Sequence, residues 1–170
     1  MFKTFRQIEE EHLRFFPIPD RAVLGVRNID CIHPLKQKAV ANIVRSIQSD
    51  PILFKNIEAM WVFGSSVNNC CNIRSDLDIV IELEESLEKK AKTLTGLLRE
   101  TTKEQDEAED IMGIISRKIH RLSDKNGLDL LWKHEIIPNR QLYKNIERDG
   151  RLVYERTSGK HADVVRNGKR

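Results

Sequence analysis

Two aspartates and a glycine–serine turn lie close together in the stretch FGSSVNNCCNIRSDLDIVIEL, residues 63 to 83. Asp76 and Asp78 are two residues apart, so on a β-strand their carboxylates project from the same face. Two carboxylates on one face repel each other, and a cation between them relieves the repulsion. A fold does not need that arrangement, so the pattern indicates chemistry rather than packing.

The turn Gly64-Ser65-Ser66 follows the apolar run Ile57 to Phe63 and precedes a predicted short helix. Glycine lets the backbone approach a ligand closely. Free N–H groups at the start of a helix bind anions such as phosphate, and a serine hydroxyl adds a further donor. The turn therefore predicts a phosphate-binding site, in which Ser66 either contacts the ligand or only caps the short helix.

A third acid, Asp129, lies in the apolar stretch Gly-Leu-Asp-Leu-Leu-Trp. A charge in a buried strand is costly unless it is paired or binds metal, so Asp129 is either a metal ligand or the partner of a nearby lysine or arginine. If the strands lie side by side, the three carboxylates meet and can hold one or two Mg²⁺ ions, which prefer oxygen ligands and substrate phosphates. A phosphate site beside a metal site describes phosphoryl-type transfer from a nucleotide.

Hydrophobic periodicity predicts the elements that must position these residues. A strand with clear alternation is predicted from Asp76 to Leu83, with one face packed and the other partly wet. The remaining predicted elements begin with a helix over 2–16, a helix from Pro34 to about Gln48, a short turn begun by Asp50-Pro51 and a buried central strand over 57–63. Helical structure is then predicted over 86–122 with Ser86 as N-cap, either as two helices or as one long helix with a solvated middle, because the stretch 100–110 is polar all round. A strand over 128–132, a helix over 139–149 that Asn139 caps and Gly150 stops, and an edge strand over 152–155 follow.

The spacing Gly64-Ser65, ten residues, Asp76-x-Asp78 resembles the signature of the DNA polymerase β-like nucleotidyltransferase superfamily. The final segment IIPNRQLYKNIERDGRLVYER is similar to the end of the minimal nucleotidyltransferases, which close with a helix, Ile-x-x-x-Gly and a Leu-Tyr-Glu strand. The resemblance covers about residues 34 to 156. It implies an α/β (α+β) fold with a small mixed sheet of three to four strands flanked by helices. Around it we expect an N-terminal helical extension over 1–33, a nucleotidyltransferase domain over 34–157 with a helical insertion at about 86–122, and a basic, disordered tail over 158–170.

The resemblance also implies a role for each candidate residue. Gly64 and Ser65, with Ser66 beside them, would bind the phosphates of ATP or another NTP. Asp76 and Asp78 would bind both Mg²⁺ ions, and Asp129 would share the ion near the acceptor and help deprotonate its hydroxyl.

The acceptor stays open at the level of sequence. The chain is expected to transfer NMP, AMP being favoured, to a hydroxyl, and a co-encoded partner such as a HEPN toxin is one such acceptor in minimal family members. The alternatives are an aminoglycoside-type enzyme with a small-molecule acceptor and a non-catalytic antitoxin or regulator that masks a partner. The N-terminal helix is expected to cover the core, with a homo-oligomer or partner contact as the alternative.

Composition argues against several other classes, although it does not exclude nucleic acid as a partner. The net charge of +3 and the lack of a basic stripe with interleaved aromatics argue against a nucleic-acid binder. Three cysteines without a Cys-x-x-Cys pair argue against a disulfide scaffold or a zinc site. No apolar run is long enough for a membrane span, and the first residues have no signal-like apolar core, so a cytoplasmic protein is expected.

Overall fold

The computed structural model describes residues 26–68, 70–92, 103–123, 127–137 and 139–156. The predicted N-terminal helix over 2–16 and the predicted disordered tail over 158–170 lie outside these ranges. Within them the helices are α1 Pro34–Ser49, α2 Pro51–Asn56, α3 Glu85–Lys92, α4 Lys103–His120, α5 Lys133–Ile136 and α6 Arg140–Asp149. The strands are β1 Ile57–Phe63, β2 Leu77–Leu83, β3 Leu128–Trp132 and β4 Arg151–Glu155.

The four strands form one mixed sheet in the order β3-β2-β1-β4. Strand β1 pairs antiparallel with both β2 and β4, whereas β2 pairs parallel with β3. The predicted fold class, a small mixed sheet of three to four strands flanked by helices, is confirmed. Strand β1 is central, as its continuous apolar run indicated, and β4 is an edge strand.

One face of the sheet packs against α1, α3 and α4 in the main hydrophobic core. Pro34 occupies the first turn of α1, and the His33 side chain accepts a hydrogen bond from the Leu35 N–H at 3.3 Å. From that start, Val40, Ile43, Val44 and Ile47 bury completely. Helix α1 is therefore held against the sheet by an apolar stripe at helical spacing.

The segment between β2 and β3 is part of the core as well as a connection. Parallel strands require a long crossover connection, and helices α3 and α4 are part of the connection between β2 and β3. Leu87, Ala108, Ile115 and Ile119 from these helices are buried in the main core. The prediction of a segment that is polar all round near residue 108 is therefore wrong, because Ala108 is fully enclosed. Residues 93–102 lie outside the ranges that the structure describes.

The opposite face of the sheet is more covered than the alternation of β2 predicted. Val80 is 1% exposed and packs with Ile136 of α5 and Ile146 of α6 in a second, smaller cluster. A cavity of ≈ 240 Å³ lies beside this cluster, between Trp61 and the two helices. Asp78 and Glu82 flank Val80 on this face and are half-buried, so the face is only partly wet.

Two predicted helix starts change in the structure. Helix α3 begins at Glu85, and the Glu84 carboxylate accepts hydrogen bonds from the N–H groups of Ser86 and Leu87, so Glu84 rather than Ser86 provides the cap. The predicted turn at Asp50-Pro51 is the start of helix α2, capped by the Asp50 side chain. Asn139 caps α6 and Gly150 ends it, as predicted. Within the described ranges, no helix has the length and apolarity needed to cross a bilayer.

Candidate active site

The candidate acids come together at one end of the paired strands β2 and β3. Asp78 and Asp129 are direct register partners across the parallel pair, and neighbouring strands lie about 4.8 Å apart. Asp76 lies just before β2, where the Leu77 N–H donates to the Gly127 carbonyl at 2.9 Å. The structure therefore places the three carboxylates that the sequence singled out on two adjacent chain segments.

Asp129 differs from its prediction in one respect. The sequence suggested a charge within a buried strand, but β3 is an edge strand and Asp129 is exposed. Solvent therefore removes most of the desolvation penalty that was the argument for metal binding at this residue. Asp129 belongs to the candidate site because it is the register partner of Asp78.

The environment of Asp78 perturbs the pKa of its carboxyl. Burial raises the pKa of its carboxyl, and the negative charges of Asp129 and Asp76 raise that pKa further. The positive charge of Lys36 opposes these effects. The raised pKa shows that the acids are close enough to repel each other, which is the condition in which a bound cation is favourable.

The glycine of the turn touches the site directly. Gly64 follows Phe63, and Phe63 is the register partner of Asp78. The φ of Gly64, +68°, lies in the left-handed region, and a Cβ built on Gly64 would lie 2.2 Å from the Asp78 Oδ2. The close approach that requires glycine here is therefore to the Asp78 carboxylate itself.

A second glycine, which the sequence analysis did not assign to the site, approaches Asp76 in the same way. A Cβ on Gly127 would lie 2.0 Å from the Asp76 Oδ1. Gly127 directly precedes β3, so the chain entering β3 passes against the first acid. A glycine before an acid-bearing strand was visible in the sequence, but only the pairing of β2 with β3 reveals its neighbour.

The two serines of the turn have different environments. The turn is a 3₁₀ helix over Gly64–Val67, which matches the predicted short helix. Ser65 is half-buried, whereas Ser66 is 0% exposed and its hydroxyl has no hydrogen-bond partner. The Ser66 carbonyl accepts from the His33 N–H at 2.8 Å, which joins the turn to the start of α1. Of the two hydroxyls, that of Ser65 is the more accessible to a nucleotide.

Sequence reasoning missed Lys36, a charged residue behind the acids. Its side chain is 1% exposed, and its Nζ donates a hydrogen bond to the carbonyl of Ser75, the residue before Asp76. It occupies a position between apolar residues of an amphipathic helix, where a lysine usually extends to solvent. No sequence signal distinguishes it from the exposed lysines.

The donor set of the three acids fits a hard divalent cation. Asp76, Asp78 and Asp129 supply carboxylate oxygens, the ligand type that Mg²⁺ prefers, and burial together with the neighbouring negative charges raises the pKa of Asp78. Across the described ranges, no three His, Cys, Asp or Glu side chains already converge as a metal site.

A family comparison adds to this geometry. Residues 33–129 match the family model described as "Poly(A) RNA polymerase, mitochondrial-like, central palm domain", whereas no curated protein matches the chain. The match covers more than half of the chain and contains every candidate site residue, ending at Asp129. The chain belongs to this family of nucleotidyltransferase palm domains. The family is consistent with the polymerase β-like superfamily, and palm domains of this kind generally use a nucleoside triphosphate and a divalent metal ion.

Proposed function

We propose that the chain is a Mg²⁺-dependent nucleotidyltransferase that transfers AMP from ATP to an acceptor hydroxyl. The observation that carries the proposal is the register pairing of Asp78 with Asp129, with Asp76 and the Gly64 turn at the same end of the strands. The family match supports nucleotidyl transfer, and the nucleotide, the metal and the acceptor are proposals.

Each residue has a role in this reaction. Gly64, Ser65 and Ser66 form the turn proposed to bind the β- and γ-phosphates, through backbone N–H groups and the Ser65 hydroxyl. Asp76 and Asp78 would hold the metal ions. When bound, these ions neutralise phosphate charge and stabilise the attacking and leaving oxygens.

Asp129 would accept the proton of the acceptor hydroxyl. The acceptor oxygen then bonds to the α-phosphorus, and the bond from that phosphorus to the bridging oxygen breaks, so that pyrophosphate leaves. The exposure of Asp129 suits this role, because an acceptor arriving from solvent can reach it. Catalysis in this scheme depends on positioning and on charge neutralisation.

An RNA 3′-hydroxyl is the first acceptor to test. Its support is the description of the matching family, whose name refers to a poly(A) RNA polymerase. The net charge of +3 predicts weak rather than tight RNA binding by this chain alone, because phosphate contacts dominate such affinities. Binding should therefore be measured at low salt.

A hydroxyl on a partner protein, such as a co-encoded HEPN toxin, is the second candidate. Its support is the C-terminal part of the domain, which lies beyond the matched residues. Helix α6 ends with the Gly150 N–H donating to the Ile146 carbonyl at 2.8 Å, and β4 then pairs with β1. This helix, Gly150 and strand succession is the ending by which the sequence resembles minimal nucleotidyltransferases.

One assay separates these acceptors. The protein is incubated with α-labelled ATP and Mg²⁺ together with RNA, with RNA lacking the 3′-hydroxyl, with a co-encoded partner or with an aminoglycoside. We expect label on RNA with a free 3′-hydroxyl, and label on the partner instead would favour the second candidate.

The required control is Asp78→Asn, with circular dichroism showing an intact fold. We expect this variant to lose transfer to every acceptor. Absence of transfer by the wild-type chain with all four NTPs and with Mg²⁺ or Mn²⁺ would refute the proposal. Full neutralisation of a partner by Asp78→Asn would show masking instead of catalysis.

A further inference from the structure

Three polar side chains are buried in the described part of the chain, namely Lys36, Gln37 and Ser66. All three lie where the first turn of α1 meets the Gly64–Val67 turn, since the His33 N–H donates to the Ser66 carbonyl. Lys36 is the charged member of this group. Burying an ammonium group is unfavourable unless it is paired, so its place needs a reason.

Helix stability does not supply that reason. Lys36 is the third residue of α1, and positive charges are unfavourable near a helix N-terminus, where the macrodipole is positive. An apolar residue at this buried position would avoid both the desolvation and the dipole penalty. The lysine is therefore explained by what its ammonium group contacts.

The ammonium group reaches the connection that leads into the acids. Lys36 Nζ donates to the Ser75 carbonyl, directly before Asp76. The same connection is held by two local hydrogen bonds, from the Ser75 N–H to the Asn72 carbonyl at 3.1 Å and from the Asn72 N–H to the Ser75 hydroxyl at 3.0 Å. Lys36 thus links this turn to α1, across 39 residues of sequence.

The ammonium charge also acts on the acids themselves, because it opposes the repulsion that Asp129 and Asp76 exert on Asp78. One buried residue therefore contributes both a backbone anchor and a counter-charge at the same site. A residue with only a packing role would provide neither.

We propose that Lys36 is a positioning residue of the active site, which fixes the Ser75–Asp76 backbone and thereby places Asp76 and Asp78 for metal-nucleotide binding. Lys36 does not contact the substrate in this role. The inference rests on the proposed function for its catalytic consequence, whereas its structural part, the anchoring of residues 72–77, does not depend on it.

The test compares Lys36→Met, which removes the charge and the donor but keeps an unbranched chain, with the wild-type protein. Displacement of catalytic groups by about 1 Å costs about 100-fold in rate. We expect kcat to fall at least tenfold, with KM for ATP unchanged within about twofold. Amide hydrogen exchange in peptides covering residues 71–77 should become at least tenfold faster, while the free energy of unfolding stays at or above that of the wild type.

Two variants of the same helix complete the design. Lys36→Arg keeps a cationic donor and is expected to recover slow exchange and most of kcat. Lys38→Met removes a half-buried lysine that does not share the face of Lys36, and should change neither quantity. If Lys36→Met fails to fold, Lys36→Gln provides the neutral side chain for the same measurements.

Unchanged exchange over residues 71–77 in the neutral variant overturns the inference, as does a kcat within twofold of the wild type. A general loss of stability without a local change in exchange also overturns it, because that is the behaviour of a packing residue. If the wild type transfers nothing, the proposed function fails, but the exchange measurement still decides whether Lys36 anchors the turn.

Discussion

Replacing Gly64 by alanine tests the geometry of the site most directly. Its φ of +68° costs an alanine about 1–2 kcal/mol, because left-handed backbone crowds the Cβ. The new Cβ would lie 2.2 Å from the Asp78 Oδ2, whereas ordinary contacts begin at 3.4 Å. The carboxylate must therefore retreat by more than about 1 Å, a displacement that costs about 100-fold in rate when a catalytic group is involved.

Gly113→Ala is the matched control, because the same atoms are added where space and backbone permit them. Gly113 lies inside α4, and the nearest atom to its added Cβ is the Arg117 Nη1 at 3.6 Å. Alanine in a helix interior is favoured over glycine by about 1 kcal/mol. From the backbone alone we expect the two variants to differ by about 2–3 kcal/mol in the free energy of unfolding, with opposite signs relative to the wild type, and the contact with the Asp78 carboxylate adds to this difference.

Urea denaturation measures the stability difference, and nucleotidyl transfer at equal folded fraction measures the rate. A double-mutant cycle then separates the two parts of the effect. In the background Asp78→Ala the carboxylate is absent, so Gly64→Ala should cost only the backbone part of about 1–2 kcal/mol. If Gly64→Ala keeps both wild-type stability and a rate within threefold, the argument from φ and the carboxylate contact is refuted.

Three further predictions concern the acids and their surroundings. Asp78→Asn should abolish transfer yet raise the free energy of unfolding at pH 7. Because the pKa of Asp78 is raised in the folded protein, its ionisation lowers the free energy of unfolding as pH rises from 3.8 through the folded pKa. Urea denaturation across that window should show this decrease in the wild type and not in the variant. Gly127→Ala should reduce the rate of transfer about 100-fold by displacing the Asp76 carboxylate, and a rate within threefold of the wild type would contradict the contact. Urea denaturation should show a smaller loss of stability than for Gly64→Ala, because only Gly64 has a positive φ. Asp50→Ala should lower the free energy of unfolding by about 0.5–2 kcal/mol through loss of the α2 cap, measured against Lys118→Met, which removes only the ion pair. Because the Lys118 hydrogen bond lowers the pKa of Asp50, the stabilisation by the ionised Asp50 should be present above pH 3.8 and disappear as pH falls through the folded pKa. An equal loss of stability in Asp50→Ala at pH 2 and pH 7 would contradict this.

The sequence predicted the elements of this fold where local rules dominate. The apolar run of β1, the alternation of β2, Pro34 at the start of α1 and the Asn139 and Gly150 boundaries of α6 follow from periodicity and capping. The sequence predicts Ser86 as the cap of α3, whereas the Glu84 carboxylate accepts from the first N–H groups of the helix. A serine hydroxyl and a glutamate carboxylate can both accept such hydrogen bonds. Such alternatives are nearly equal in energy, so a sequence does not separate them.

The candidate acids were predictable from spacing, but their environments were not. Whether Asp129 is buried depends on whether β3 has one neighbour or two, which is a property of the whole sheet. Likewise, the contact of Gly127 with Asp76 and that of Lys36 with Ser75 join residues far apart in sequence. Pattern analysis detects only periodic or local relationships, so it identified the chemistry and missed the residues that support it.

The parallel pairing of β2 with β3 has a consequence for how the protein acquires activity during folding. Strand β2 ends at Leu83 and β3 begins at Leu128, so Asp78 and Asp129 meet only after a large loop has closed. Long-range parallel pairing is intrinsically slow, whereas the antiparallel pair β1–β2 is separated by a short connection and can form early. Recovery of catalysis during refolding should therefore trail the recovery of secondary structure, which makes enzymatic turnover a sensitive reporter of the last tertiary contacts to form.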